Sequence, residues 1–220
     1  MRYTVNTITG EVKVDRPTAS TGPTLTKEES KVGVRWKHFK TVSRHRKIVR
    51  QECKACGIGW QGWKHDMSKY SRIEFSESAK YFQGNRSPIE ASKESCNGYS
   101  LAWQHHMGHN PHHWEYWIDF GKNGEIIPQK IPFVYVVEMI CDWIGAGKVY
   151  SKEQWTEHEP LAYYNKVRAG RHFHPDTENL IIGFLSTIDN FGLDEFHKMA
   201  RCEGRYAYLR VDYDHPGMAP

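Results

Sequence analysis

Thirteen histidines in 220 residues fall into groups: His38 and His45, then His65-Asp66, His105-His106, His109 and His112-His113. Imidazole nitrogen and carboxylate oxygen together suit a divalent metal, with manganese, iron, cobalt, magnesium and zinc all compatible with such a donor mixture. Other chemistries lack their signatures. The chain has no Walker-type loop, no Gly-x-Gly-x-x-Gly and no Gly-x-Ser-x-Gly elbow. Cys53-x-x-Cys56 resembles half a zinc site, but no second pair lies at finger spacing, so it reads as two small core residues on a helix.

Helices must carry most of these side chains. Between Val32 and Cys56, residues His38, Val42, His45, Val49 and Cys53 repeat at helical spacing and share one face, which points two histidines inward. Gly57 and Gly59 end that helix, and Trp60 to Lys69 reads as a second, short one carrying His65 and Asp66. Ser71-x-x-Glu74 and Ser87-Pro88-x-Glu90 read as capping boxes opening two more helices, the later one running to Met107 with Gly98 as its weak point. Asn110-Pro111 is expected to start another across His112, His113, Trp114 and Trp117, and Asn123-Gly124 marks a turn. Pro132 opens a helix from Phe133 to Gly145, and four further helical segments follow between Lys152 and Cys202. Residues 3–14 alternate as a short hairpin around Thr9-Gly10, followed by a Pro/Thr/Ser/Gly-rich stretch, Arg16 to Thr26. The expected architecture is all-α, with residues 1–31 as an N-terminal hairpin arm and 32–220 as one helical domain.

His45 on its helix, the Gly57 turn, then His65-Asp66-Met67-Ser68-Lys69, and finally Met139-Ile140-Cys141-Asp142-Trp143-Ile144-Gly145-Ala146 resemble in order the anchors of the HD-domain metal-dependent phosphohydrolases. The likeness spans roughly residues 34 to 147. The chain is also similar to uncharacterised phage and bacterial proteins with His-Asp-x-Ser-Lys followed by His-His and Trp-Glu-Tyr-Trp. The resemblance implies an HD-like helical bundle in which His45, His65, Asp66 and Asp142 hold a metal. Asp142 shares a helical face with Tyr135, Met139 and Ala146, and an inward carboxylate needs a cation or hydrogen-bond donors. Backbone amides or a buried Lys or Arg would be the alternative partners. Relatives with two metals recruit extra histidines between the central pair and the last Asp. His106, inward on the face of Ala102 and Trp103, and His113 hold those places here, whereas His105, His109 and His112 read as capping or supporting residues.

In the same resemblance Asp66 and Lys69 are the catalytic candidates, with Lys69 meeting a phosphoryl oxygen; a lysine at a helix C-terminus is the plainer reading. Arg72 and Arg86 at helix starts are candidate phosphate contacts. Trp114 is a candidate stacking surface for a base, although core packing explains the same spacing. Glu74 fits its cap better than a general base.

The implied activity is hydrolysis of a nucleotide or related phosphoester by metal-activated water. Two rivals remain: an HD-fold diiron oxygenase, and a non-catalytic nucleotide- or partner-binding protein. The net charge of +4 tolerates a small anionic substrate and, taken over the whole chain, gives no expectation of dedicated nucleic-acid binding. The longest apolar stretch, Ile131 to Ile144, is broken by Glu138 and Asp142, so no membrane span is expected. Five unevenly spaced cysteines fit reduced thiols in a cytoplasm.

Overall fold

A computed structural model describes residues 31–204 with their side chains, and 2–5, 12–15 and 205–209 by backbone alone. The expected hairpin is present: β1 (Arg2–Val5) pairs antiparallel with β2 (Val12–Asp15), from Arg2 opposite Asp15 to Val5 opposite Val12. Its Thr9-Gly10 turn and the Arg16 to Thr26 stretch lie outside the described residues. The rest is predominantly α-helical, in order α1 (Lys31–Ala55), α2 (Gly59–Lys64), α3 (Arg72–Lys80), α4 (Pro88–Ser95), α5 (Leu101–His109), α6 (Phe133–Tyr150), α7 (Glu159–Val167), α8 (Pro175–Phe191) and α9 (Leu193–Leu209). Residues divide into two compact units, Met1–Lys40 with Lys69–His105, and Thr41–Ser68 with His106–Pro220.

In the first unit, Ser71 caps α3 by accepting from the Glu74 amide at 3.3 Å. The Glu74 side chain does not return the favour as a capping box requires; its carboxylate meets His105 Nδ1 at 2.6 Å. The expected single helix from Ser87 to Met107 is two. Asn97 and Gly98, both at positive φ, break the chain between α4 and α5, and Ser100 Oγ accepts from Trp103 N at 3.0 Å to start the second. Glu77 ties the pieces together, accepting from Ser92 Oγ and Ser100 Oγ, each at 2.6 Å, and from the Ala102 amide at 3.1 Å. His38 packs its ring between Phe75 and Phe82.

The second unit is built around α6, whose residues Val136, Val137, Ile140, Cys141 and Ile144 are fully buried. Ile181, Phe184, Leu185 and Ile188 of α8, Phe196 and Ala200 of α9, Tyr164 of α7, Val49 and Cys53 of α1 and Cys56 just after it complete one apolar core. Gly57, at φ 84°, ends α1 with a Schellman motif: the Ile58 amide donates to Cys53 O at 2.9 Å and the Gly57 amide to Lys54 O at 3.1 Å. Gly62 then lets α2 lie directly on α1, because a Cβ there would stand 2.5 Å from Cys53 Cβ. Asn123-Gly124 turns a hairpin the sequence reading did not anticipate, β3 (Ile118–Phe120) against β4 (Ile126–Pro128).

Candidate metal centre

Every ligand candidate named from the sequence, His45, His65, Asp66, His106, His113 and Asp142, falls in the second unit, and all six converge. His65 and Asp66 do not continue α2, as the sequence reading expected. The helix stops at Lys64, His65 turns to φ −45° and ψ 128°, and Asp66 takes a left-handed backbone at φ 54°. Asp tolerates that conformation better than most side chains, yet it still costs on the order of 1 kcal/mol. Arg46 of α1 holds the turn, donating through Nε to His65 O at 2.8 Å and through Nη2 to Trp63 O at 3.1 Å. The consequence is geometric: the reversal presents both carboxylate oxygens of Asp66 to histidines on either side.

On one side Asp66 Oδ2 lies 3.4 Å from His45 Nε2 and 3.2 Å from His65 Nε2. Asp142 Oδ1 lies 3.0 Å from the first of these nitrogens and 3.4 Å from the second, and the two nitrogens are 3.3 Å apart. On the other side Asp66 Oδ1 lies 3.3 Å from His106 Nε2 and 3.6 Å from His112 Nε2, and His106 Nε2 is 2.9 Å from His113 Nε2. Two four-residue clusters therefore share Asp66: His45, His65, Asp66 and Asp142, and Asp66, His106, His112 and His113.

His112 and Glu138 were not placed in the site by sequence reasoning. The helix expected across 110–117 does not form: α5 ends at His109, a turn follows, and Trp114–Trp117 make one 3-10 turn, with Trp117 Nε1 donating to Pro111 O at 2.6 Å. Helical periodicity consequently could not sort His112 from His113. Glu138 had a signal, since it sits one turn before Asp142 in an otherwise apolar stretch, where two carboxylates share a face. Its Oε1 accepts from His65 Nδ1 at 2.9 Å and approaches His112 Nδ1 at 3.2 Å, while Oε2 accepts from Gln61 Nε2 at 2.7 Å. Hydrogen bonding at Nδ1 fixes the tautomer in which Nε2 offers its lone pair. One buried carboxylate thus orients a histidine of each cluster. Ser68 Oγ, 3.3 Å from His106 Nδ1, supports a third.

The electrostatics follow from burial. For Glu138 burial alone would raise the pKa, but hydrogen bonds from His112 and His65 outweigh it and bring it down to about 2. Asp142 likewise falls well below the usual carboxylate range, burial being overcome by His45 and His65. For His65, burial opposes the proton, but Asp66, Asp142 and Glu138 hold it well above the ordinary value. His113 moves the other way: burial and the neighbouring His112 and His106 press it well below 6.5, which keeps the imidazole in the neutral form that ligates metal.

These residues fit a metal by chemistry and by spacing. Two buried carboxylates, Asp66 and Glu138, and the partly buried Asp142, gathered around imidazoles, demand compensating positive charge. His112 Nε2 is buried without a hydrogen-bond partner among the described residues and faces the second cluster. Metal–ligand bonds of about 2.0–2.1 Å in tetrahedral array set donor atoms roughly 3.3 Å apart, and in the first cluster the two imidazole nitrogens stand 3.0 to 3.4 Å from each other and from the carboxylate oxygens.

The remaining candidates are not members of either cluster. Lys69, in the 3-10 turn Met67–Tyr70, and Arg72, exposed at the start of α3, belong to the first unit. Arg86 is engaged by Glu94 at 2.6 Å. Trp114 packs its ring beside His172 and Phe173 at 5.7 and 6.3 Å, against the second unit's core. Cys53, Cys56 and Cys141 are buried free thiols, with Cys56 and Cys141 sulfurs 3.9 Å apart.

Among the described residues no helix is long and apolar enough to cross a membrane. No curated protein and no solved structure matches the chain. Residues 34–187, which include every metal-ligand candidate and more than half of the chain, match a family described as of unknown function, DUF5662. The chain with this paired His/Asp cluster therefore belongs to that family of unknown function.

Proposed function

We propose that the protein is a metal-dependent phosphohydrolase of HD-like design, acting on a nucleotide or related phosphoester or phosphoanhydride. The observation that carries the reading is the shared Asp66, whose two carboxylate oxygens serve two donor clusters at once. Divalent ions held there supply activation of water near neutral pH and offset charge on phosphoryl oxygens. The chain's own residues do the rest. Asp66 fixes the separation of the two clusters, and Glu138 orients His65 and His112. Lys69, at the position of the resembled family's lysine, stabilises a phosphoryl oxygen in this reading. Free thiols at all five cysteines support a reducing, cytoplasmic setting.

A second reading has its own support. The cluster of His106, His112 and His113 is imidazole-rich, a donor set that also suits iron, and it favours an HD-fold diiron oxygenase acting on a small organic substrate. One experiment separates them. Protein loaded separately with manganese, cobalt or iron is offered a panel of nucleoside mono-, di- and triphosphates, with phosphate release and oxygen consumption followed together. The hydrolase reading expects phosphate release without oxygen uptake, and Lys69→Ala lowering kcat/KM at least about tenfold at unchanged metal content. Substrate-dependent oxygen uptake by the iron form, with no phosphate released, would replace it by the oxygenase.

A further inference from the structure

We infer that the solvent face formed by the second half of α1 and by α2 binds single-stranded nucleic acid. The whole-chain charge of +4 conceals how basic this segment is. Residues 41–64 hold six Lys or Arg and one acid, Glu52, which is buried and already engaged by Lys148 at 2.7 Å and His197 at 2.9 Å. Arg44, Lys47, Arg50, Lys54 and Lys64 are exposed, and none forms an ion pair with another described residue. No exposed carboxylate interrupts them on either helix. Among the described residues their positive potential is not offset by an ion pair, and it favours an anionic partner.

Two indoles stand beside these cations. Trp60 is 70% exposed and Trp63 48% exposed, and their rings stack on each other at 5.2 Å and 8°. Their backbone is anchored. Gly59 lies against Lys54, Gly62 against Arg50 and Cys53, and Arg46 holds the carbonyls of Trp63 and His65, so α2 runs antiparallel beside the last turns of α1. The pair is thus presented on an anchored element that lies against the Arg50 and Lys54 segment of α1, with Lys64 Nζ 6.0 Å from the Trp60 ring centroid.

Charge complementarity selects a polyanion, and the flat rings select among polyanions. A nucleic-acid single strand offers phosphates to the cations and unstacked bases to continue the indole stack, the combination used by sequence-tolerant single-strand binders. A duplex keeps its bases stacked inward and would leave the indoles idle. An anionic membrane needs a broad apolar face, whereas α2 is Gly-Trp-Gln-Gly-Trp-Lys, with only two large apolar side chains. An acidic peptide supplies charge without flat rings. This inference is independent of the hydrolase reading.

The test is a fluorescence-anisotropy titration of a short labelled oligothymidylate with the full-length protein at low and moderate salt, with tryptophan quenching followed alongside. Binding is expected to weaken with salt, with a log–log slope of about −0.7 per phosphate contacted. Arg50→Glu/Lys54→Glu should lose at least about tenfold in affinity, and Trp60→Ala/Trp63→Ala at least about fivefold, with unchanged far-UV circular dichroism. Inorganic polyphosphate and phosphatidylserine vesicles are titrated in parallel. Absence of binding at low salt, indifference to either double substitution, or tighter binding to polyphosphate or vesicles than to the oligonucleotide would overturn the assignment.

Discussion

Asp66 and Glu138 divide the work of the site between them, one shared by two donor clusters and the other supporting a histidine in each. Because Glu138 Oε1 touches Nδ1 of both His65 and His112, its loss should be felt at both clusters. Glu138→Ala is expected to weaken binding of each of two manganese ions by about 10- to 100-fold, the usual cost of removing a carboxylate behind a metal-bound histidine. Glu138→Gln, which keeps a carbonyl oxygen toward the imidazoles, should recover part of that loss. Calorimetric titration reads both ions, and an effect confined to one would disprove the shared role. The quartet of His45, His65, Asp66 and Asp142 was legible because three anchors fall on recognisable motifs. His112 was not, since its position depends on a turn rather than on a periodic element. Glu138 looked only like an interruption of an apolar stretch until the fold set Nδ1 of two histidines against it.

The elements explain why these side chains meet. Helix α1 was readable from sequence because its inward face repeats without a break from His38 to Cys53, and all five residues of that stripe are buried. Two of the misread segments share a cause. Asn97-Gly98 and Asp66 adopt left-handed backbones, which end helices without any loss of hydrophobic pattern nearby. Where α1 meets α6, Gly145 leaves room for the facing side chains: a Cβ there would stand 2.5 Å from Val49 Cγ2 and 3.5 Å from the His45 ring. Gly145→Ala should therefore destabilise the fold by about 1–3 kcal/mol, as overpacking does, and weaken metal binding through His45. Urea denaturation with metal titration checks both, and a variant as stable as wild type would show that the two helices can part without cost. In the first unit, burial of His38, with Lys69 and Arg35 adding repulsion, lowers its pKa from 6.5 to about 4. Above pH 6.5 the imidazole is neutral in folded and unfolded chains alike. As pH falls from 6.5 toward 4, the unfolded chain binds a proton that the fold refuses, so stability declines across that window by about 3 kcal/mol. His38→Gln should flatten that part of the pH–stability curve. An unchanged slope would mean that His38 titrates normally.

At the scale of the whole molecule, gathering three carboxylates at one locus, with Asp66 and Glu138 buried and Asp142 partly so, leaves the fold dependent on compensating charge. An ion at about a hundred times its dissociation constant adds about 2.7 kcal/mol of stability, which for a chain of this size corresponds to roughly 5–10 °C in Tm. Chelation should lower the melting temperature by about that much, and manganese should restore it; a Tm indifferent to chelator would argue that protons and hydrogen bonds alone satisfy the cluster. The most direct test is metal stoichiometry, measured by elemental analysis of manganese-reconstituted protein freed of loosely bound ions. Wild type should carry two ions per chain, Asp142→Ala and His113→Ala one each, and Asp66→Ala neither, because Asp66 alone belongs to both clusters. A wild type with one ion or none, or an Asp66→Ala protein that keeps its full complement, would contradict the paired centre.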